Sequence, residues 1–292
     1  MTLPRVEIDQ QLCDKEGLCV LVCVETVFFQ KDRDSFPTIL HAEKCRVCGH
    51  CIAVCPGNSI TIHEMNLSNF HPVTPEMEIE PDKLVDFLRM RRSVRNYNQK
   101  RSVRRETVEN IIETSRYAPT AANAQSLNHI IIDNSETIDL LSSHCLEIIK
   151  ANLFQWRNEE SLSSLKPEEA DRIRADIPYY ENLLSQNDEG KDPIFYRAPV
   201  LIVTTANLSI TPRAPEDAAI ASYQMMLMAR SLGLGTCYIG NFYTIANESR
   251  DIRKILKIQP YQDIIIAFTL GYPAIRFRLL VDRKEPKFQW LE

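Results

Sequence analysis

Seven of the nine cysteines lie between Cys13 and Cys55, at spacings at which thiolates bind iron–sulfur clusters. The second cysteine run, residues 45–55, reads C45-R-V-C48-G-H-C51-I-A-V-C55 and is followed by proline, which gives the pattern C-x2-C-x2-C-x3-C-P. Three thiolates on one tight loop can hold three irons of a cubane, and the fourth cysteine points to a different cluster. A zinc ribbon needs two separated C-x2-C pairs, so the run indicates iron–sulfur chemistry rather than zinc.

The first cysteine run, residues 13–23, repeats this pattern with two departures. It reads C13-D-K-E16-G17-L-C19-V-L-V-C23-V24, and Gly17 matches Gly49 of the second run. Glu16 stands where the second cysteine is expected, and Val24 replaces the proline. Two identities remain open: a cluster with one iron missing or labile, or a site that has lost its metal. The three remaining cysteines favour a cluster.

A basic stretch follows the cysteine-rich segment. Its eight cations are Arg89, Arg91, Arg92, Arg95, Lys100, Arg101, Arg104 and Arg105. Arginine forks bind phosphate oxygens in pairs, and the hydroxyl of Ser93 can add a donor, so a phosphate site is one interpretation. A solvated charged face is the alternative. A nucleic-acid patch is disfavoured, because no base-stacking aromatics are interleaved with the cations.

The elements that must position these residues alternate between helices and short apolar strands from Pro81 onward, which predicts an α+β or α/β domain. The helical segments are 83–90, 104–118, 136–152, 215–232 and 247–258, and the strands are 129–133, 198–206, 236–240 and 263–273. A proline-rich stretch between the cysteines and Pro81 has no clear periodicity and indicates a linker.

Five motifs in order resemble those of the FMN-dependent nitroreductase family. They are R91-R-S-V-R95-N-Y97, A118-P-T-A-A-N123-A-Q125, G233-L-G-T-C-Y-I-G240, L270-G-Y-P273 and D282-R-K-E-P. The two cysteine runs resemble a two-cluster bacterial-type ferredoxin over roughly residues 5–63. The chain therefore resembles a ferredoxin–nitroreductase fusion, with an iron–sulfur domain at 1–63 and a linker at 64–80. The implied α+β flavoprotein domain is 81–292, with a lid insertion at about 150–195.

The ferredoxin resemblance implies how the thiolates divide between two clusters. Cys23, Cys45, Cys48 and Cys51 form one complete [4Fe–4S] site. Cys13, Cys19 and Cys55 form the other, a [3Fe–4S] or labile [4Fe–4S] cluster with Glu16 nearby.

The nitroreductase resemblance implies a homodimer with FMN at the subunit interface. Arg91, Arg92, Ser93 and Arg95 are then expected at the FMN phosphate and ribityl chain, with Arg283 as a second phosphate contact. Thr120 is expected to reach FMN from the partner subunit, with Asn123 and Gln125 close by. Tyr238, Ile239 and Gly240 are expected beside the isoalloxazine, with a backbone N–H near N5. Ser126-Leu127 departs from the usual Pro-Trp and makes the surroundings of the ring unusual.

The two resemblances together imply an oxidoreductase. Electrons would pass from iron–sulfur clusters, fed by ferredoxin or NAD(P)H, through FMN to a nitroaromatic, a quinone or a similar small oxidant. No catalytic side chain is expected, because the flavin carries the chemistry. The alternatives are a redox sensor, an electron-transfer module, or another reaction of this fold such as ene reduction or dehalogenation.

Composition agrees with a globular enzyme. The 292 residues are 44% hydrophobic and 25% charged, and the formal net charge is −5. Nothing in this balance draws the chain to nucleic acid or anionic lipid. No signal peptide or apolar run of membrane-spanning length is seen, so we expect a cytoplasmic protein.

Overall fold

The computed structural model describes residues 4–291, and these form two compact units. The cysteine unit is Met1–Ile79 together with Ala122–Ala124, and the large unit is Glu80–Ala121 together with Gln125–Glu292. Residues 1–3, at the start of the expected iron–sulfur domain, and residue 292, at the end of the flavoprotein domain, lie outside the described residues.

The cysteine unit consists of two short antiparallel ribbons and two short helices. The elements are β1 (Val6–Ile8), α1 (Leu18–Val22), β2 (Phe28–Phe29), β3 (Thr38–Ile39), α2 (His50–Val54) and β4 (Ile60–Ile62). Strand β1 pairs with β4, and β2 pairs with β3. Val27, Phe28, Ile60 and Ile62 are buried between the ribbons and the helices and form the core.

The repeat seen in the cysteine spacing is also a structural repeat. Helix α1 begins after Gly17 at φ 70°, and helix α2 begins after Gly49 at φ 76°, a backbone conformation that glycine adopts without steric cost. Left-handed residues recur at the same offset as Lys15 and Val47, and as Thr26 and Asn58. Both cysteine runs therefore follow one backbone path.

The large unit is an antiparallel sheet covered by helices. The helices are α3 (Pro81–Met90), α4 (Arg105–Glu113), α5 (Ser135–Trp156), α6 (Glu159–Ser163), α7 (Pro167–Asp188), α8 (Ala214–Ser231), α9 (Gly240–Glu248) and α10 (Arg250–Ile255). The strands are β5 (Asn128–Ile132), β6 (Val200–Ala206), β7 (Gly235–Tyr238) and β8 (Asp263–Gly271). The strand order is β5-β6-β8-β7 and every neighbouring pair is antiparallel, which is an α+β arrangement.

Strand β6 is the centre of the core. All seven of its residues are buried, including Thr204 and Thr205, and the apolar residues at 200–203 predict this burial. Successive side chains of a strand point to opposite faces. Leu201 and Val203 accordingly pack with residues of α5, α9 and α10, while Val200 and Ile202 pack with residues of α4 and α8. The sheet is thus buried between two helical layers.

The segment expected as a lid, about 150–195, contains the end of α5, all of α6 and all of α7. Helix α7 packs against α5, and its Leu183 is buried in the same cluster as Leu146 of α5. The rings of Trp156 and Tyr180 lie 5.3 Å apart at this contact. No helix in the described part of the chain is long and apolar enough to cross a bilayer.

One helical prediction needs a correction. The sequence predicts one helix over 247–258, whereas the structure has two helices that meet at Ser249. The hydroxyl of Ser249 accepts a hydrogen bond from the N–H of Ile252 at 3.3 Å and so caps α10. Helix α9, which begins at Gly240, is an element that the sequence analysis did not predict.

Candidate functional site

The basic motif at residues 91–97 extends the sheet beside β7. Val94 donates its N–H to the carbonyl oxygen of Thr236 at 2.9 Å, and Ser93 forms a parallel bridge with Thr236. Further along, Tyr97 bridges to Pro273, and its hydroxyl lies 2.8 Å from the buried Oγ1 of Thr269. Three motifs that are distant in the sequence, at 91–97, 233–240 and 270–273, therefore meet at this edge of the sheet.

Two glycines allow the close approach. A Cβ atom on Gly271 would stand 2.6 Å from the Pro199 ring and 2.7 Å from the ring of Tyr97. A Cβ atom on Gly235 would collide with the side chain of Val94 in the same way. These positions need glycine because the motif segments cross within contact distance of their backbone.

Alternate residues of the basic motif lie beside Cys237. Ser93, Arg91 and Arg95 all lie near enough to this thiol to lower its pKa. Burial raises the pKa of Cys237, which outweighs the lowering by these three neighbours. Arg95 also donates from Nε to the Tyr196 hydroxyl at 3.3 Å, with its guanidinium 5.7 Å from that ring. Arg91, Ser93 and Arg95 thus share one face, as expected of an extended segment.

A cavity of about 590 Å³ adjoins this motif. We call it the arginine cavity after the side chains that line it: Arg89, Arg91, Arg92, Arg101, Arg230, Arg276 and Arg278. Among the described residues, no Asp or Glu lines it. Arg89 is paired with Asp86 at 3.6 Å outside this wall, but a concave site whose wall carries cations and no acid still favours an anion.

Two of these guanidinium groups have buried nitrogens without partners. Nη2 of Arg92 and Nε of Arg230 are shielded from solvent, and neither has a hydrogen-bond partner within the described chain. Burial lowers the pKa of Arg92, and the nearby charges of Arg283, Arg91 and Arg89 lower it further. A buried donor left unpaired is costly, and a phosphate oxygen would satisfy it. The residues present therefore fit the phosphate of a nucleotide cofactor.

The backbone edge after β7 passes from the sheet into α9: the N–H of Ile239 still bonds to the carbonyl oxygen of Ala267 at 2.9 Å, and the donors of the helix follow. Tyr238 ends the strand with its side chain 41% exposed, and Ile239 caps the helix that begins at Gly240. A Cβ atom on Gly240 would meet nothing within 4 Å. The first N–H groups of a helix have no partner within it, so this edge offers hydrogen-bond donors beside an open face.

The loop at 120–125 is held in an unusual backbone conformation. Ala122, Asn123 and Gln125 all have positive φ, at 53°, 53° and 46°. Gln125 donates its N–H to Thr120 Oγ1 at 3.1 Å, so these two predicted residues lie together. Asn123 groups with the cysteine unit, where its side-chain amide donates to the carbonyl oxygen of Arg46 at 2.7 Å.

The four residues predicted for the incomplete cluster line one cavity. Cys13, Glu16, Cys19 and Cys55 all contribute to its wall. Burial raises the pKa of Cys19, and the charges of Cys13 and Cys55 raise it further, which reflects the proximity of the three thiols. The N–H of Ser59 donates to Cys55 Sγ at 3.3 Å.

The other four cysteines form a second group. Burial raises the pKa of Cys51 to about 12, with further contributions from Cys48, Cys45 and Cys23. The N–H of Val27 donates to Cys23 Sγ at 3.4 Å, which repeats the Ser59 contact in the other half of the repeat. Within residues 4–291, no three His, Cys, Asp or Glu side chains form a group that could hold a metal ion. The structure therefore brings the cysteines together without showing a metal centre.

The sequence of the large unit matches a known family. A sequence model described as the nitroreductase family matches residues 88–272, more than half of the chain. The chain belongs to the nitroreductase family. The predicted nitroreductase-family oxidoreductase is thereby confirmed, together with its α+β fold. The match begins after the cysteine unit, so the ferredoxin resemblance stays a prediction.

Relatives within this family cover most of the large unit. The chain is 26% identical over 171 residues to YdgI of Bacillus subtilis strain 168, which carries the provisional name NAD(P)H nitroreductase; the alignment covers 56% of this chain and 78% of that protein. A nitroreductase with bound FMN from Desulfitobacterium hafniense DCB-2 has 19% identity and a TM-score of 0.55 over 74% of this chain and 100% of that one. One from Bacteroides fragilis NCTC 9343, also with bound FMN, has 19% identity and a TM-score of 0.52 over 72% and 99%. At this identity the two structures establish a shared fold.

Several residues of this nitroreductase-family site were not singled out from the sequence. Tyr196, which contacts Arg95, has a left-handed backbone at φ 57° that nothing in its sequence neighbourhood signals. Arg230 comes from the last turn of α8, and Arg276 and Arg278 come from the segment after β8. Only tertiary packing joins these three to the basic motif.

Proposed function

We propose that this nitroreductase-family chain is an FMN-dependent oxidoreductase that reduces a nitroaromatic, a quinone or a similar small oxidant. Its electrons come from NAD(P)H or a reduced ferredoxin through iron–sulfur clusters in the cysteine unit. The main support for FMN binding is the arginine cavity beside the basic motif, where Nη2 of Arg92 is unpaired. A dianionic phosphate matches this charge and these donors.

This geometry supports a set of cofactor-binding residues. Arg91, Ser93 and Arg95 hold the phosphate and ribityl chain together with the unpaired Nη2 of Arg92, and Arg283 adds positive charge near Arg92. When bound, FMN supplies the hydride and single-electron chemistry that no side chain of the site provides.

The protein's own contribution at the ring is positional. With FMN bound, Tyr238, Ile239 and Gly240 would line the isoalloxazine, and this segment would supply a backbone N–H near N5. The neutral thiol of Cys237 stays structural, because its pKa is raised. Thr120 and Gln125 contact the flavin across a homodimer interface, which makes the complete site a property of two chains.

The iron–sulfur half of the proposal rests on the repeated cysteine geometry. Cys13, Cys19 and Cys55 bind one cluster, with Glu16 at the position of the missing thiolate. Cys23, Cys45, Cys48 and Cys51 bind the other. Cys23 and Cys55 accept backbone hydrogen bonds at equivalent positions of the repeat. Hydrogen bonds to sulfur help to set the reduction potential of an iron–sulfur cluster.

The test measures both halves in one assay. Reduced ferredoxin and NADPH are supplied separately to the anaerobic protein, with a nitroaromatic as acceptor, and the double variant Cys45→Ser/Cys48→Ser is compared at equal FMN content. Ferredoxin-driven turnover is expected to fall at least tenfold in the variant. If the variant turns over as fast as the wild-type protein with both donors, the clusters are not on the electron-transfer path to FMN. Failure of the wild-type protein to reduce the nitroaromatic with either donor would contradict the proposed enzymatic function and favour a redox sensor.

A further inference from the structure

The arginine cavity is larger than the part of it that the proposed FMN phosphate uses. Of the residues assigned to FMN, only Arg91 and Arg92 belong to its wall. Its volume of about 590 Å³ lies in the range that encloses a whole small ligand, about 300–1,000 Å³. Every residue of the wall lies in the large unit. The proposed function therefore leaves most of this cavity unassigned.

The direction of the basic motif separates the cavity from the rest of the proposed flavin site. Ser93 and Arg95 lie beside Cys237, whereas Val94, between them, lines the cavity. Successive side chains of an extended segment point to opposite sides, so the cavity and the Ser93–Arg95 face lie on opposite sides of one sheet edge. Among these residues only the long side chain of Arg91 reaches both sides.

Four further arginines come together on the unassigned part of the wall. We call them the second arginine group: Arg101, Arg230, Arg276 and Arg278. They come from the loop after the basic motif, the last turn of α8 and the segment after β8. Among residues 4–291, none of the four forms an ion pair with an acidic side chain. Like charges in one concave site repel each other unless an anion lies between them.

Two members of the second arginine group are already held in place. The guanidinium of Arg101 lies 3.6 Å from the centroid of the Tyr272 ring, and Arg230 donates from Nη2 to Met90 Sδ at 3.5 Å. Nε of Arg230 is shielded from solvent and has no hydrogen-bond partner within the described chain. A buried N–H without a partner is costly, and an anionic oxygen would satisfy it.

The charge of the wall exceeds what a single phosphate balances. The phosphate of FMN carries about two negative charges, and the basic motif alone supplies the cations that match it. A ligand for the second arginine group therefore needs several negative charges of its own.

The uncharged part of the wall indicates the rest of that ligand. Val94, Met226 and Leu234 are buried and form an apolar surface of the cavity. The ring of Phe277, which is 54% exposed, also belongs to the wall and is free to stack on an aromatic base. A ligand with several phosphate charges and an aromatic base matches both parts of the wall.

We propose that the second arginine group binds the phosphates of a second nucleotide, one that carries at least two phosphate groups. This site is separate from the FMN phosphate at Arg91 and Arg92, and it goes beyond the proposed function. Nε of Arg230 donates to a phosphate oxygen, and Arg276 and Arg278 supply further charge from the segment after β8. ADP and NADP⁺ share this chemistry, since both contain an adenosine diphosphate.

The test measures nucleotide binding to the FMN-loaded, full-length protein by isothermal titration calorimetry. The ligands are ADP, NADP⁺ and adenosine, and the variant is Arg230→Met. Arg278→Met is the second variant, and thermal unfolding and FMN content per chain are measured for every protein. The matched control is Arg213→Met at the other end of α8, where Arg213 pairs with Glu216 at 3.2 Å.

ADP and NADP⁺ are expected to bind while FMN stays in place, and adenosine is not. Arg230→Met raises the Kd of the nucleotides about tenfold to a hundredfold, because a charge-assisted hydrogen bond is lost. Arg278→Met changes the Kd in the same direction, and Arg213→Met leaves it unchanged. An equal loss for both ligands assigns the arginines to the diphosphate, whereas a loss confined to NADP⁺ assigns them to its 2′-phosphate.

Three results would overturn the inference. They are no binding of ADP or NADP⁺, an equal Kd in both variants and the wild-type protein, and release of FMN by ADP. FMN content separates this inference from the proposed function. A protein that binds ADP but no FMN would contradict the proposed function alone, and one that binds FMN but neither nucleotide would contradict the inference alone.

Discussion

The Cγ2 atom of Val94 stands 2.5 Å from the point that a Cβ atom on Gly235 would occupy. The side chain of Val94 therefore packs directly against the backbone of Gly235, the first residue of β7, where only a hydrogen atom fits. This contact fixes how far Arg91, Ser93 and Arg95 stand from the end of β7. The site's geometry depends on the absence of one methyl group.

Gly235→Ala is expected to push the basic motif away from β7. Overpacking of a buried contact costs about 1–3 kcal/mol, so the free energy of unfolding falls and FMN affinity falls with it. The measurements are urea unfolding and FMN titration of the apoprotein. Val94→Ala in the same chain removes the two Cγ atoms but keeps Cβ, 2.8 Å from the added methyl group, so it should restore only part of both losses. Unchanged free energy of unfolding and unchanged FMN affinity in Gly235→Ala would contradict a tight contact between Val94 and Gly235.

Arg92→Met is expected to change stability and cofactor binding in opposite directions. Without FMN, the variant loses a guanidinium whose buried Nη2 has no partner and which other cations crowd, so the apoprotein becomes more stable. With FMN, a charge-assisted hydrogen bond is lost, and the Kd rises about tenfold to a hundredfold.

The matched control for Arg92 is Arg105→Met in the same basic stretch. Arg105 pairs with Asp133 at 2.8 Å on the surface and should leave FMN affinity unchanged. Thermal unfolding of the apoprotein and fluorescence titration with FMN give the two readouts. Equal FMN affinity in Arg92→Met and the wild-type protein would place the phosphate elsewhere.

Glu16→Cys is expected to complete the first cluster. Glu16 shares a cavity with Cys13, Cys19 and Cys55, at the position of the cysteine that the second run has. A fourth thiolate holds the fourth iron, so iron per chain rises by about one and the cluster resists oxygen better. Iron analysis and electron paramagnetic resonance of anaerobic protein make the comparison. Identical cluster type and iron content in the variant would refute a labile iron at this site.

The stability of the large unit is expected to fall in mild acid because of His129. Burial lowers the pKa of His129, whose ring nitrogens lie near the hydroxyls of Thr204 and Ser115. The unfolded chain binds a proton below about pH 6.5, where the folded state still does not. The free energy of unfolding therefore decreases as the pH falls below that value.

Urea unfolding between pH 5 and 8 tests this dependence. His129→Gln keeps hydrogen-bonding capacity without a titrating ring and should flatten the profile, whereas the exposed His71→Gln should not. A profile that is the same in His129→Gln and the wild-type protein would assign the acid sensitivity to other groups.

The sequence predicted the elements whose signals are local. The apolar residues at 200–203 predicted a buried strand, and the helical pattern at 215–232 predicted the long helix α8. The break at Ser249 and the start of α9 at Gly240 were missed, because each depends on how the chain leaves β7 rather than on periodicity.

The residues of the candidate site also fall into those that a local motif predicts and those that only the fold brings together. Arg91, Ser93 and Arg95 carry a motif and could be named in advance. Arg230, Arg276 and Arg278 could not, because they come from a helix end and from the segment after β8, and only folding brings them to one cavity.

The central claim is that one chain carries both a flavin and iron–sulfur clusters. Iron and FMN content per chain, in protein purified without oxygen, tests it most directly. The account predicts about one FMN with about seven or eight irons. FMN without iron, or iron without FMN, would contradict it.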